Sequence, residues 1–174
     1  CQNKNPVAAC IMLGLSALHF EAVGLGKPVS REKAKQYLDD MLQAGLIPTT
    51  ENFADMNHAV ICLCCECCCS MIRGRTRWEN PAAVLPSNFI PEPDANCIYC
   101  GACEKRCPLG AIAVDKTRRF FFVKEYRCIG CGVCTTACRQ NALKLVRKER
   151  SLPRADAADL YDTIELENRK EAAT

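Results

Sequence analysis

Between Cys97 and Cys138 the chain writes one cysteine pattern twice, 31 residues apart: Cys97, Cys100, Cys103 and Cys107, then Cys128, Cys131, Cys134 and Cys138. Each copy reads C-x2-C-x2-C-x3-C, the first followed by Pro108 and the second by Arg139. Three cysteines at this spacing wrap a common centre through tight turns. Gly101 and Gly132 are the residues that take such a turn and let backbone amides approach sulfur.

The two copies are part of a larger excess, sixteen cysteines in 174 residues. That level means either a disulfide scaffold or a metal protein. Disulfides need paired Cα atoms at about 5.5–6 Å with convergent side chains, and a run such as Cys62 to Cys69 crowds too many thiols together for that. Metal binding is the reading that fits. Reduced thiolates in this number imply a reducing interior, no basic and apolar leader opens the chain, and a cytoplasmic location follows as the expectation. The longest apolar run, Val7 to Leu18, falls short of the roughly 20 residues of a membrane span, so no span is expected. The chain opens at Cys1, at the edge of what reads as a cysteine cluster, and an upstream part is expected.

The formal net charge of +3 conceals an uneven distribution: residues 92–150 hold twelve basic and six acidic side chains, whereas residues 1–91 hold eight of each. Four thiolates on an oxidised four-iron core carry a net charge of about −2 per cluster, so two such clusters offset most of the central excess. With no nucleic-acid motif accompanying the charge, nucleic-acid binding is not expected.

Read in order, the first half is a helical region with a small hairpin. Ile11, Leu15, Leu18 and Ala22 at helical spacing predict a helix from Val7 to Val23, stopped near Gly24 and Gly26. Ser30 as N-cap, Glu32 in the first turn and Gly45 as terminator predict a second, whose inward stripe is Tyr37, Leu38, Met41 and Leu42. Leu46 to Thr50 and Ala59 to Leu63 read as the strands of a hairpin. It leads into Ile61-Cys62-Leu63-Cys64-Cys65-Glu66-Cys67-Cys68-Cys69, six cysteines in eight positions. Were this stretch helical, Cys64 with Cys68 and Cys65 with Cys69 would share faces.

Three readings of that stretch stand side by side: a further iron–sulfur site, a zinc or copper thiolate site, and a buried thiol-rich turn. With Cys1 and Cys10 these six make eight cysteines outside the repeat, enough for one or two more four-thiolate sites. Arg73, Arg75, Arg77 and Trp78 follow and read as a solvated basic face beside an anionic cluster. Residues 81–93 form a proline-punctuated connector in which Phe89 and Ile90 dock as a strand. After each cysteine run comes an apolar alternation, Ala111 to Val114 and Ala142 to Leu145, read as a strand; Phe120 to Val123 adds a third. The acidic tail, 151–174, carries Leu160, Tyr161, Ile164 and Leu166 near a helical stripe that either docks a partner or lies solvated. The division expected is 1–80, connector 81–93, cluster module 94–150 and tail, in the α+β class.

Cys97 to Leu145 resembles a bacterial-type two-cluster ferredoxin module, with Cys107-Pro108 intact and Cys138-Arg139 departing from the usual proline. The resemblance implies two 4Fe-4S clusters with exchanged fourth ligands: Cys97, Cys100, Cys103 and Cys138 for one, Cys128, Cys131, Cys134 and Cys107 for the other. The departure at Arg139 bears on the rigidity of the second turn and on the potential of its site. From Cys1 to Arg150 the chain is similar to multi-cluster four-iron proteins of anaerobes that carry an I-C-x-C-C-x-C-C-C stretch, longer proteins with further cysteines upstream. That likeness implies one or two extra clusters and names no substrate.

The function expected is one-electron transfer within a larger redox assembly, with redox proteins as partners. No Ser–His–Asp set, phosphate loop or Rossmann glycine pattern is present to perform other chemistry. A second reading is a redox enzyme subunit with an incompletely ligated cluster at Cys62–Cys69, recognisable by three cysteines or by a non-cysteine ligand such as Glu66 or His58. A third is a zinc-structured scaffold carrying a ferredoxin tail.

Overall fold

The computed structural model of the chain describes residues 1–6, 9–55, 57–150 and 152–172. It mixes helices with small antiparallel sheets, an α+β arrangement.

The capped helix forms as its end signals dictate. Helix α2 spans Arg31–Ala44; the Lys33 amide donates to Ser30 Oγ, and Gly45 closes it in the left-handed conformation at φ 98°. Tyr37, Leu38 and Met41 pack on a core of Ala9, Leu46, Leu63 and Cys65, while Leu42 faces a second core. Strands β2 (Ile47–Thr49) and β3 (Val60–Cys64) pair antiparallel as the hairpin requires.

The first predicted helix is shorter than its periodicity indicated. Ile11–Met12 form strand β1 on the free edge of β3, opposite Ile61 and Val60, and helix α1 covers only Gly14–Ala22. Residues 7–8 of the expected helix lie outside the described residues. The cause is competition for Ile11: in the sheet it gains a ladder partner, and the Leu13 amide donates to Ala59 O at 2.9 Å. The rest of the expected stripe finds no core, since Leu15 is 85% and Leu18 62% exposed. The stop near the glycines is as read, with the Leu25 and Gly26 amides donating to Phe20 O.

Helix α3 (Ser70–Arg77) follows the cysteine stretch, and a 3₁₀ turn at Pro81–Ala83 packs against it. The contact is so close that a methyl group on Gly74 would run into the Ala83 side chain. Strand β4 (Phe89–Pro93) pairs with β7 (Leu143–Arg147), so the end of the connector is built into the sheet of the cysteine-repeat module. Between them lie α4 (Ala102–Arg106), the hairpin of β5 (Ile112–Asp115) and β6 (Phe120–Val123), and a 3₁₀ turn at Val133–Ala137.

One core spans both halves: Ile47 and Ile72 from the first meet Val84, Ile90, Leu109, Ile129 and Val133 from the second. Arg106 adds a polar tie, donating from Nη2 to Leu42 O and Gln43 O at the end of α2. The basic run is not uniformly solvated. Arg75 is 9% exposed and donates to three carbonyls, Val84 O and Pro81 O of the connector and Tyr126 O just before Cys128. Helix α5 (Ala157–Ala172) leaves Tyr161, Ile164 and Leu166 exposed, and the segment before it is tied to the first half through Arg154, which pairs with Phe53.

Candidate metal centres

The two cysteine runs fold alike because their turns are alike. Gly101 (φ 77°) and Gly132 (φ 82°) bend the chain after the second cysteine of each run and cap the short helical turn that follows. The fourth cysteine of each run ends that turn, and its sulfur accepts the amide four residues on: Ala111 N–H to Cys107 Sγ and Ala142 N–H to Cys138 Sγ, both 3.3 Å. These are equivalent positions, 31 residues apart. The turn after Cys138 closes without proline, since the Asn141 amide reaches Cys138 O at 3.0 Å as the Gly110 amide reaches Cys107 O at 3.2 Å. Asn141 adopts a left-handed φ of 51°, where the first copy has Gly110 at 59°, a conformation asparagine tolerates better than most residues.

The eight thiols of the repeat line two separate cavities. One, open to solvent, is bordered by Cys97, Cys100, Cys103 and Cys138. The other is lined by Cys107, Cys128, Cys131 and Cys134 and walled by apolar groups that include Pro91, Leu109, Ile129 and Leu145. Between them Cys103, Cys107, Cys134 and Cys138 pack around Ile112 and Leu143, so the two cavities are neighbours across a thin apolar partition. Burial pushes the Cys131 thiol up to about 11 and raises Cys128, Cys103 and, most of all, Cys134. Without a metal these groups therefore stay neutral. Four soft sulfur donors per cavity, amides aimed at sulfur and an apolar wall suit an iron–sulfur cubane, whose thiolates need positive iron rather than water as their partner.

The cysteine-rich stretch is neither helix nor featureless turn. Cys62 and Cys64 lie on β3, two residues apart and hence on one face, and the β1–β3 register places Cys10 across from Cys62. The chain then turns, with the Cys68 and Cys69 amides directed at Cys65 O, before α3 begins at Ser70. This sorts the cysteines differently from helical pairing. The Cys62 and Cys64 thiols, raised first by burial, both also feel Cys10 and Cys69, and Cys64 feels Cys62. Cys65, Cys67 and Cys68 turn instead toward the N-terminal segment and meet Cys1, all four sulfurs lying within 4.8 Å of one another. Burial pushes Cys65 up to about 11; hydrogen bonding, foremost from Cys65, holds the half-buried Cys67 down near 7.

Neither non-cysteine candidate faces these thiols. Glu66 accepts from Asn3 Nδ2 at 2.7 Å. His58 stacks on Phe53 with ring centroids 4.6 Å apart and contacts Glu51 at 3.3 Å. Sequence reasoning did not single out Arg150, which donates to Cys128 O at 2.8 Å and to the Ser87 and Phe89 carbonyls, holding the Cys128 loop against β4. One arginine at the end of the charged run Arg147-Lys148-Glu149-Arg150 gives no local signal of this.

Residues 96–143 match the family model of the 4Fe-4S dicluster domain, and this part of the chain binds 4Fe-4S clusters. No curated protein and no solved structure matches the chain. Among the described residues no helix is long and apolar enough to cross a membrane.

Proposed function

We propose that the chain is an electron-transfer protein or subunit that relays single electrons through the two clusters of the dicluster domain and a third metal–sulfur centre in the N-terminal half. A bound 4Fe-4S cubane supplies reversible one-electron exchange at almost fixed geometry. The observation that carries the reading is the division of the repeat's thiols into two adjacent cavities of four. We assign Cys97, Cys100, Cys103 and Cys138 to one cluster and Cys107, Cys128, Cys131 and Cys134 to the other.

The N-terminal half contributes through the shared core. Cys69 packs against that core, as Cys107 and Cys131 do. We therefore place the third cluster at Cys10, Cys62, Cys64 and Cys69, beside the core it shares with the dicluster domain. A complete set of four thiols at each position leaves no open iron for a substrate, and Glu66 and His58 are engaged elsewhere, which favours relay over catalysis. Leu15 and Leu18 on α1 and Leu25 after it are exposed apolar side chains of the kind a partner in a larger redox assembly would cover.

The test is iron, zinc and acid-labile sulfide per chain on anaerobically purified protein, with low-temperature EPR before and after reduction. About twelve sulfides per chain are expected, and about eight would confine the clusters to the dicluster domain. Cys100→Ala is expected to remove one cluster and leave the others; unchanged iron in that variant defeats the ligand assignment.

A further inference from the structure

The four sulfurs gathered by the N-terminal segment differ in spacing from every other set of thiols in the molecule. Cys1 Sγ lies 3.3 Å from Cys65 Sγ and 3.4 Å from Cys67 Sγ, Cys65 to Cys67 is 3.1 Å, and Cys67 to Cys68 is 3.2 Å. Among the described residues no other three cysteine, histidine or acidic side chains come within the same 4.8 Å of one another, the eight dicluster cysteines included. The spacing separates two kinds of metal centre. Around a single ion with metal–sulfur bonds of about 2.3 Å, tetrahedral sulfurs stand about 3.8 Å apart. On a cubane each cysteine sulfur lies beyond its own iron, and the sulfurs stand roughly 6 Å apart. Disulfides are a different matter again, with sulfurs at about 2.05 Å, and all sixteen cysteines are free thiols.

We propose that Cys1, Cys65, Cys67 and Cys68 form a mononuclear tetrathiolate site for one borderline-soft divalent ion, zinc or iron, separate from the iron–sulfur clusters. The backbone prepares it. The Cys68 and Cys69 amides close the turn on Cys65 O, which aims Cys65, Cys67 and Cys68 one way and leaves Cys69 with the β3 thiols. The N-terminal segment is brought over by the Asn3–Glu66 hydrogen bond and by its own turn from Lys4 N–H to Cys1 O. Cys65 is the buried member, against the core that holds Leu46 and Leu63, whereas Cys1 and Cys68 face solvent. The bound ion clamps residues 1–4 onto the turn; zinc would make that clamp redox-silent, and iron would add a one-electron centre at the surface.

The site does not depend on the relay reading, and one pair of variants keeps the two apart. On the full chain purified anaerobically, Cys67→Ser is expected to lose one zinc or one iron per chain with acid-labile sulfide unchanged. Cys62→Ser is expected to lose iron and sulfide together and to keep the extra ion. The wild-type protein gives a check that needs no variant. X-ray absorption at the zinc edge, or Mössbauer spectra of the iron in excess of sulfide, should report four sulfur neighbours at about 2.3 Å and no short metal–metal distance. Loss of sulfide in Cys67→Ser, or wild-type protein without any ion beyond its iron–sulfur complement, overturns the proposal. The identity of the lost metal decides between clamp and redox centre.

Discussion

Cys131 and Cys64 state the cost of keeping thiolates in this fold without metal. Burial raises both thiols from the ordinary value of 9.0 to about 11, so the metal-free folded chain prefers them neutral. A group whose folded pKa is raised contributes stability that is fully present below its unfolded pKa and is lost as pH rises through the folded value. The metal-free protein is thus expected to lose thermal stability between about pH 9 and pH 11, where the unfolded chain gives up these protons and the folded chain resists. With clusters bound as proposed, iron would hold the same sulfurs as thiolates and this alkaline decline should vanish. Thermal melts of both forms across that range, under reductant and without oxygen, measure the difference. Parallel curves would mean that burial of the thiols is not what sets their protonation.

At the scale of elements, the chain divides into those that announce themselves and those that depend on a distant partner. Helix α2 was legible because its signals are local: Ser30 accepts a hydrogen bond from three residues on, and Gly45 supplies a left-handed stop. The cysteine repeat was legible for the same reason, each run carrying its own glycine turn and its own amide-to-sulfur contact. Strand β1 was not, because Ile11 acquires its partner from Ile61, fifty residues away. The sorting of the eight N-terminal cysteines depends on that same register, so their number could be read but not their grouping. The basic run after Cys69 likewise hid a buried arginine, Arg75, between the half-buried Arg73 and the exposed Arg77. Arg75 joins α3, the connector and the loop before Cys128 through three carbonyl acceptors, a fork that lysine cannot reproduce. Arg75→Lys is expected to leave carbonyls unpaired and to destabilise the folded protein by about 2–4 kcal/mol, read as a lowered midpoint in denaturant with unchanged cluster content. A change below about 0.5 kcal/mol would place the run with ordinary surface charge.

At the scale of the whole molecule, one of the hydrophobic clusters joins residues from before and after the proline-punctuated stretch. Ile72, fully buried, stands on the helix that follows the N-terminal cysteines, yet it packs in the cluster that contains Cys128, Ile129 and Val133 of the dicluster domain. Arg106 and Arg75 cross the same boundary with hydrogen bonds. An arrangement of this kind ties the halves into one cooperative unit, because neither can expose its share of the core without stripping the other. Ile72→Ala removes buried methyl and methylene groups from that junction and should cost about 2–5 kcal/mol, with the spread set by how far the neighbours collapse into the space. The informative readout is its distribution between the halves. Loss of the metal centres proposed for the N-terminal half and of the dicluster signal should shift together to lower temperature in a single calorimetric transition. Two resolved transitions, with only one moved by the substitution, would mean that the halves unfold independently despite the core they share.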